Sequence, residues 1–190
     1  DLAAAACAVD ERSGVSALHM AARHGAVDAV ELLVGAGADP SRRSLNGVNS
    51  VLEAARFGTH PEYARADVEG ERAARCVKAM LPKSSHKPAT ARRGSFDPHD
   101  DTTELLLARD KETEESALEL MVSSAGFAPL LGDLVLSFPD LADAKDHSDR
   151  VAFAIAVPAC RKAMAEALFF LGRYKFLAGA FEHQSASSLV

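Results

Sequence analysis

The feature that most constrains this chain is a self-match at a spacing of 33 residues. Gly14 recurs as Gly47, the pair Ala21-Ala22 as Ala54-Ala55, and Gly25 as Gly58. A fixed period of this length signals small supersecondary units that cannot bury an apolar face alone and stack to share a core. The first unit reads Gly14-Val15-Ser16-Ala17-Leu18-His19-Met20-Ala21-Ala22-Arg23-His24-Gly25, then Ala29-Val30-Glu31-Leu32-Leu33, then Gly37-Ala38-Asp39-Pro40. Ser16 suits an N-cap, its hydroxyl accepting from free amides of the first turn. Leu18, Ala21 and Ala22 form an apolar stripe at helical spacing. Gly25 permits a tight turn, and Val30, Leu32 and Leu33 begin the buried stripe of a second helix. Gly37 is placed for a left-handed C-cap.

Composition agrees with stacked helices. Of 190 residues 37 are alanine, aromatics make up 6% and tryptophan is absent, so helices are expected to approach closely around thin cores. The 48% hydrophobic content excludes disorder throughout, and 12 glycines with 8 prolines exclude a collagen-like chain. A net charge of −6 argues against a partner held by phosphate contacts, so no nucleic acid is expected. No run of 18 apolar residues occurs, and no membrane association is expected. Cys7, Cys76 and Cys160 are odd in number and far apart, which suits reduced thiols in an intracellular, cytoplasmic protein. The chain begins at Asp1 and is expected to be an excerpt of a longer protein.

The first unit closely resembles the ankyrin repeat, with Ser16 and Ala17 in place of the family's threonine and proline. The resemblance implies an all-α, ankyrin-type solenoid of helix-turn-helix units, here degenerate and interrupted. The second unit starts at Gly47-Val48-Asn49-Ser50-Val51-Leu52-Glu53-Ala54-Ala55-Arg56-Phe57-Gly58, but its second helix is delayed. One alignment places that helix around Val77 to Leu81, after a polar insert at 59–72. Another places it at Glu104–Ala108. Ser116-Ala117-Leu118, Gly126 and Leu130-Leu131 fit a third unit. Val151, Phe153, Ala156, Ala167, Leu168 and Gly172 follow Ser16, Leu18, Ala21, Leu32, Leu33 and Gly37 by 135 residues and fit a fourth. The expected organisation is units 1 and 2 in 1–81, a disordered loop at 82–103, degenerate units 3 and 4 in 104–178, and a tail or further domain from 179 to 190.

Catalytic chemistry finds little support. Gly35-x-Gly37 follows a helix and lacks a third glycine, so it is no nucleotide fingerprint. Ser84-Ser85-His86-Lys87 matches a serine–lysine pattern only formally. Asp140, Asp143, Asp146 and Asp149 lack the glycine and terminal glutamate of a calcium loop, and the seven histidines show no zinc spacing. No catalytic residue, metal, cofactor or small-molecule substrate is expected. The family's structural histidine falls on His19, whose bond to the next unit would be lost where Leu52, Glu119 and Ala154 replace it.

What the resemblance implies is a module that binds another protein through connection tips and the concave face of the first helices. The best-defined tip here is Ser41-Arg42-Arg43-Ser44-Leu45-Asn46. Arg23 and Arg56 hold equivalent first-helix positions and extend its basic strip, which points to an acidic partner segment. Arg92-Arg93-Gly94-Ser95-Phe96 suits a basophilic kinase, making Ser95 a phosphorylation candidate. Gly172-Arg173-Tyr174-Lys175-Phe176 and the residues to Val190 resemble the junction in ankyrin–protein kinase fusions. That would make the chain the regulatory or targeting part of such a protein.

Overall fold

The computed structural model describes residues 6–59, 66–81 and 98–172. Four helical units stack along it. The first is α1 (Ala17–Arg23) and α2 (Val27–Gly35), and the second α3 (Ser50–Thr59) and α4 (Ala66–Met80). A helix α5 (Pro98–Leu107) precedes the third unit, α6 (Ala117–Val122), a 3-10 turn Ala125–Phe127 and α7 (Ala128–Ser137). A second 3-10 turn, Pro139–Asp143, leads to α8 (Ala152–Ile155) and α9 (Pro158–Phe170). Each first helix packs on the next, α1 on α3 and α3 on α6 on α8, while α2 packs on α4 and α7 on α9.

Local chemistry sets these boundaries. Ser16 caps α1 as expected: its side chain accepts from the His19 amide, and the His19 ring accepts from the Ser16 amide. Ser116 caps α6 by accepting from the Glu119 amide, without the reciprocal bond. Pro129 and Pro158 stand in the first turns of α7 and α9, where a missing amide costs nothing.

The core runs through every unit as one cluster, with Leu18, Val51, Leu52, Leu118, Phe127 and Leu131 among its fully buried members. Alanine makes the close stacking possible: Ala22, Ala54, Ala55 and Ala73 are wholly buried. At the join of the second and third units glycine meets glycine. A Cβ on Gly126 would lie 2.5 Å from the Cα of Gly70, so two backbones touch there with no side chain between them.

Several expectations need correction. Leu32 is 58% exposed, because α2 turns Val27 and Val30 inward instead and leaves Leu33 half-buried. Against the expectation that alanines mark where helices approach closely, Ala154 faces outward between buried Ala152 and Ala156. The helix around Val77 does pack against α3, but it starts at Ala66, inside the stretch expected to be an insert. Residues 98–103, expected within a disordered loop, begin α5, with Pro98 at its first position. The remainder of that loop, Ser95 included, lies outside the described residues.

Candidate partner-binding surface

Four antiparallel turns project from one edge of the stack, each closed by a single bridge: Val9 to Ser16, Arg43 to Asn49, Arg109 to Ser116 and Lys145 to Val151. Three carry an aspartate whose carboxylate accepts the backbone amide two residues on: Asp10 from Arg12, Asp110 from Glu112 and Asp146 from Ser148. This is the side-chain turn that short acidic residues form readily, and it accounts for Asp146 without any ion. Among the described residues no cluster of acidic, histidine and cysteine side chains could hold a metal.

Each turn also needs a residue with positive φ just before the first helix. Gly14 (φ 70°) and Gly47 (φ 84°) supply it in the first two units. In the third and fourth the same place is held by Glu114 (φ 57°) and Asp149 (φ 63°). The backbone repeats where the glycine signal has gone.

The tips are tied to one another. Leu45 N–H donates to Ser13 O at 2.9 Å, and Lys111 N–H donates to Asn46 O at 3.0 Å. Lys111 Nζ donates to Leu45 O at 2.9 Å, and the Asn46 amide reaches Glu112 at 3.1 Å. The second tip is therefore held between the first and third, while the Leu45 side chain stays 62% exposed. Arg42 is exposed and bonds the Cys7 carbonyl, and Arg43 is exposed and pairs with Glu104 at 3.4 Å.

Arg23 and Arg56 sit on α1 and α3 as expected, but each has a carboxylate in the following unit. Arg23 grips Glu53 with two bonds, at 2.7 and 3.1 Å, and this raises the arginine's pKa. Arg56 pairs with Asp110 and donates to Thr113 at 3.1 Å. Burial alone would raise the Asp110 pKa, yet the Glu112 amide and Arg56 hold it below the usual carboxylate range. Asp146 behaves likewise, burial being outweighed by the amide and guanidinium of Arg150. The spacing of the arginines was legible in sequence; their partners were not, because Glu53 and Asp110 lie 30 and 54 residues away.

His19 is buried and donates from Nε2 to Val48 O at 3.1 Å, linking the first unit to the second. Burial lowers its pKa and favours the neutral ring. The expectation that later units lack this link is corrected. Asn49 Nδ2 donates to Leu105 O at 2.9 Å, and Glu119 meets His147 of the next tip at 3.2 Å. The residues after Gly172, with their resemblance to a kinase junction, lie outside the described residues.

The family model for the ankyrin repeat matches residues 13–45 of this chain, which span the first helix pair and reach into the second tip as far as Leu45. No curated protein matches the chain.

Proposed function

We propose that this chain, whose residues 13–45 match the ankyrin repeat, is a protein-binding module whose lead contact is the second tip. The observation that carries this is the fixing of Leu45 and Asn46 between two neighbouring tips while the Leu45 side chain stands in solvent. An apolar side chain on a backbone already held in place loses little freedom on binding. Arg42 and Arg43 flank it and favour an acidic partner segment. On this reading Arg23 and Arg56, on α1 and α3, extend the same strip, where a partner carboxylate would have to share them with Glu53 and Asp110.

The reading is one of binding to protein, not of catalysis, nucleic-acid recognition or membrane association. Among the described residues no helix is long and apolar enough to cross a membrane. Three free cysteines suit an intracellular location.

The test is the double variant Arg42→Glu, Arg43→Glu in the full chain. A short synthetic peptide alternating Glu and Leu should bind the wild type and lose about tenfold or more in affinity on the variant. The helical circular dichroism should not change. Equal binding by the two proteins would refute the tip as the contact.

A further inference from the structure

Away from the tip contact at Leu45, the C-terminal ends of three helices meet around a groove of about 1050 Å³. α2 brings Val34 and Gly35 to it, α4 brings Ala79 and Met80, and α5 brings Glu104 and Leu105. The C-terminal end of a helix carries partial negative charge from carbonyls aligned along the axis. Three carboxylates stand on the same rim, Glu31, Asp39 and Glu104. Among the described residues the one lining cation, Arg43, is engaged by Glu104. Among the described residues no cation pairs with Glu31 or Asp39. The wall between the charges is apolar: Met80 and Leu105 are buried, and Val34 and Leu81 are half-buried.

This charge pattern selects among ligands. An acidic segment or a phosphate backbone would meet carboxylates and helix C-termini, with Arg43, already paired with Glu104, as the one described cation to offset them. A metal ion needs its ligands gathered within one coordination sphere, and no such cluster occurs among the described residues. Dispersed negative charge around an apolar wall instead matches cations spaced along an apolar body. The volume is at the upper end of what ligand pockets usually enclose and suits a few side chains.

We propose that this groove docks a short segment of a partner protein in which Lys or Arg residues flank apolar ones. The site is of opposite charge preference to the tip and rests on different residues, apart from the rim position of Arg43. The two readings therefore fail separately.

The test uses the full chain and a labelled synthetic peptide alternating Lys and Leu, followed by fluorescence anisotropy. Two comparison peptides carry Glu in place of Lys, or Ser in place of Leu. In the triple variant Glu31→Gln, Asp39→Asn, Glu104→Gln the Lys–Leu peptide should bind about tenfold or more weakly. Circular dichroism should stay as in the wild type, and binding of the Glu–Leu peptide should not fall, since Glu104→Gln releases Arg43. The Ser-for-Leu peptide should bind the wild type about tenfold or more weakly than the Lys–Leu peptide. Undiminished Lys–Leu binding by the triple variant, or equal binding of the Ser-for-Leu peptide, would overturn the proposal. Changing Lys83, Lys87, Arg92 and Arg93 to Ser should leave the affinity unchanged. A rise of about tenfold in that variant would show the chain's own basic stretch competing for the groove, and would overturn assignment to a partner.

Discussion

The side-chain amide of Asn49 donates to the carbonyl oxygen of Leu105 at 2.9 Å, performing for the second unit what His19 performs for the first. The donor has moved three residues along the sequence, from the first turn of the helix to its cap. Asn49 keeps the capping duty as well, since its Oδ1 accepts from Leu52 N–H at 2.8 Å. Both polar ends of one buried side chain are thus used.

These two duties can be separated. Asn49→Ser should retain a cap and lose the link, while Asn49→Ala should lose both. Loss of a cap costs about 1 kcal/mol, and the unpaired Leu105 carbonyl about 1–3 kcal/mol more. Urea midpoints should fall in the order wild type, Ser, Ala. Identical midpoints for the two variants would deny Asn49 its capping role.

Gly126→Ala should be strongly destabilising, by about 1–3 kcal/mol or more, because the new methyl would meet the Gly70 Cα at 2.5 Å. Gly35→Ala is the control: a methyl there would have nothing within 4 Å, the residue ends α2, and the change should be neutral or slightly stabilising. Thermal melting of both proteins decides the matter. Similar melting temperatures would mean that the two backbones at Gly70 and Gly126 are not packed as described.

Leu32→Ala should leave stability within about 0.5 kcal/mol of the wild type, since the side chain is largely in solvent. Leu131→Ala, at a fully buried position, should cost about 2–5 kcal/mol. Equal losses in urea titration would contradict the rotation of α2 that turns Val30 inward.

Stability should depend on pH in two stages. The His19 pKa is lowered by burial, so the unfolded chain takes up the proton first. Its contribution is complete above about pH 6.5 and is lost as pH falls below that value toward the folded pKa. The pKa values of Asp110 and Asp146 are also lowered, so their contribution is present above about pH 4 and lost as pH falls through their folded pKa values. Urea midpoints should decline on acidification in both windows, and Asp110→Asn should flatten the lower one. A midpoint constant from neutral pH down to about pH 5 would remove His19 from the scheme.

The three thiols should react unequally with iodoacetamide. Cys7 is exposed, whereas burial pushes the thiols of Cys76 and Cys160 up to about 11. At about pH 8 one cysteine per native chain should be modified quickly and the other two only in denaturant. Fast modification of all three, read by mass spectrometry, would contradict the packing of α4 and α9.

The first unit could be read from sequence because its signals are local: a cap at Ser16, a stripe through Leu18 and Ala22, and glycines at the turns. Units three and four were faint for an identifiable reason. Glu114 and Asp149 hold the left-handed turn position without being glycine, so the conformation persists and its marker does not. At the candidate surface, the tip around Leu45 was legible from its spacing, but the carboxylates facing Arg23 and Arg56 were not. Those pairs depend on which units become neighbours, and no local pattern encodes that. The rotation of α2 was missed because Leu32 and Leu33 are equally apolar, and only contact with α4 chooses between them.

The join between the second and third units has a consequence for chain connectivity. Asn49 with Leu105, Arg56 with Asp110, and the meeting of Gly70 with Gly126 all cross it through space. None of them requires a covalent path through residues 82–97. A chain cut within that stretch should therefore yield two fragments that remain associated.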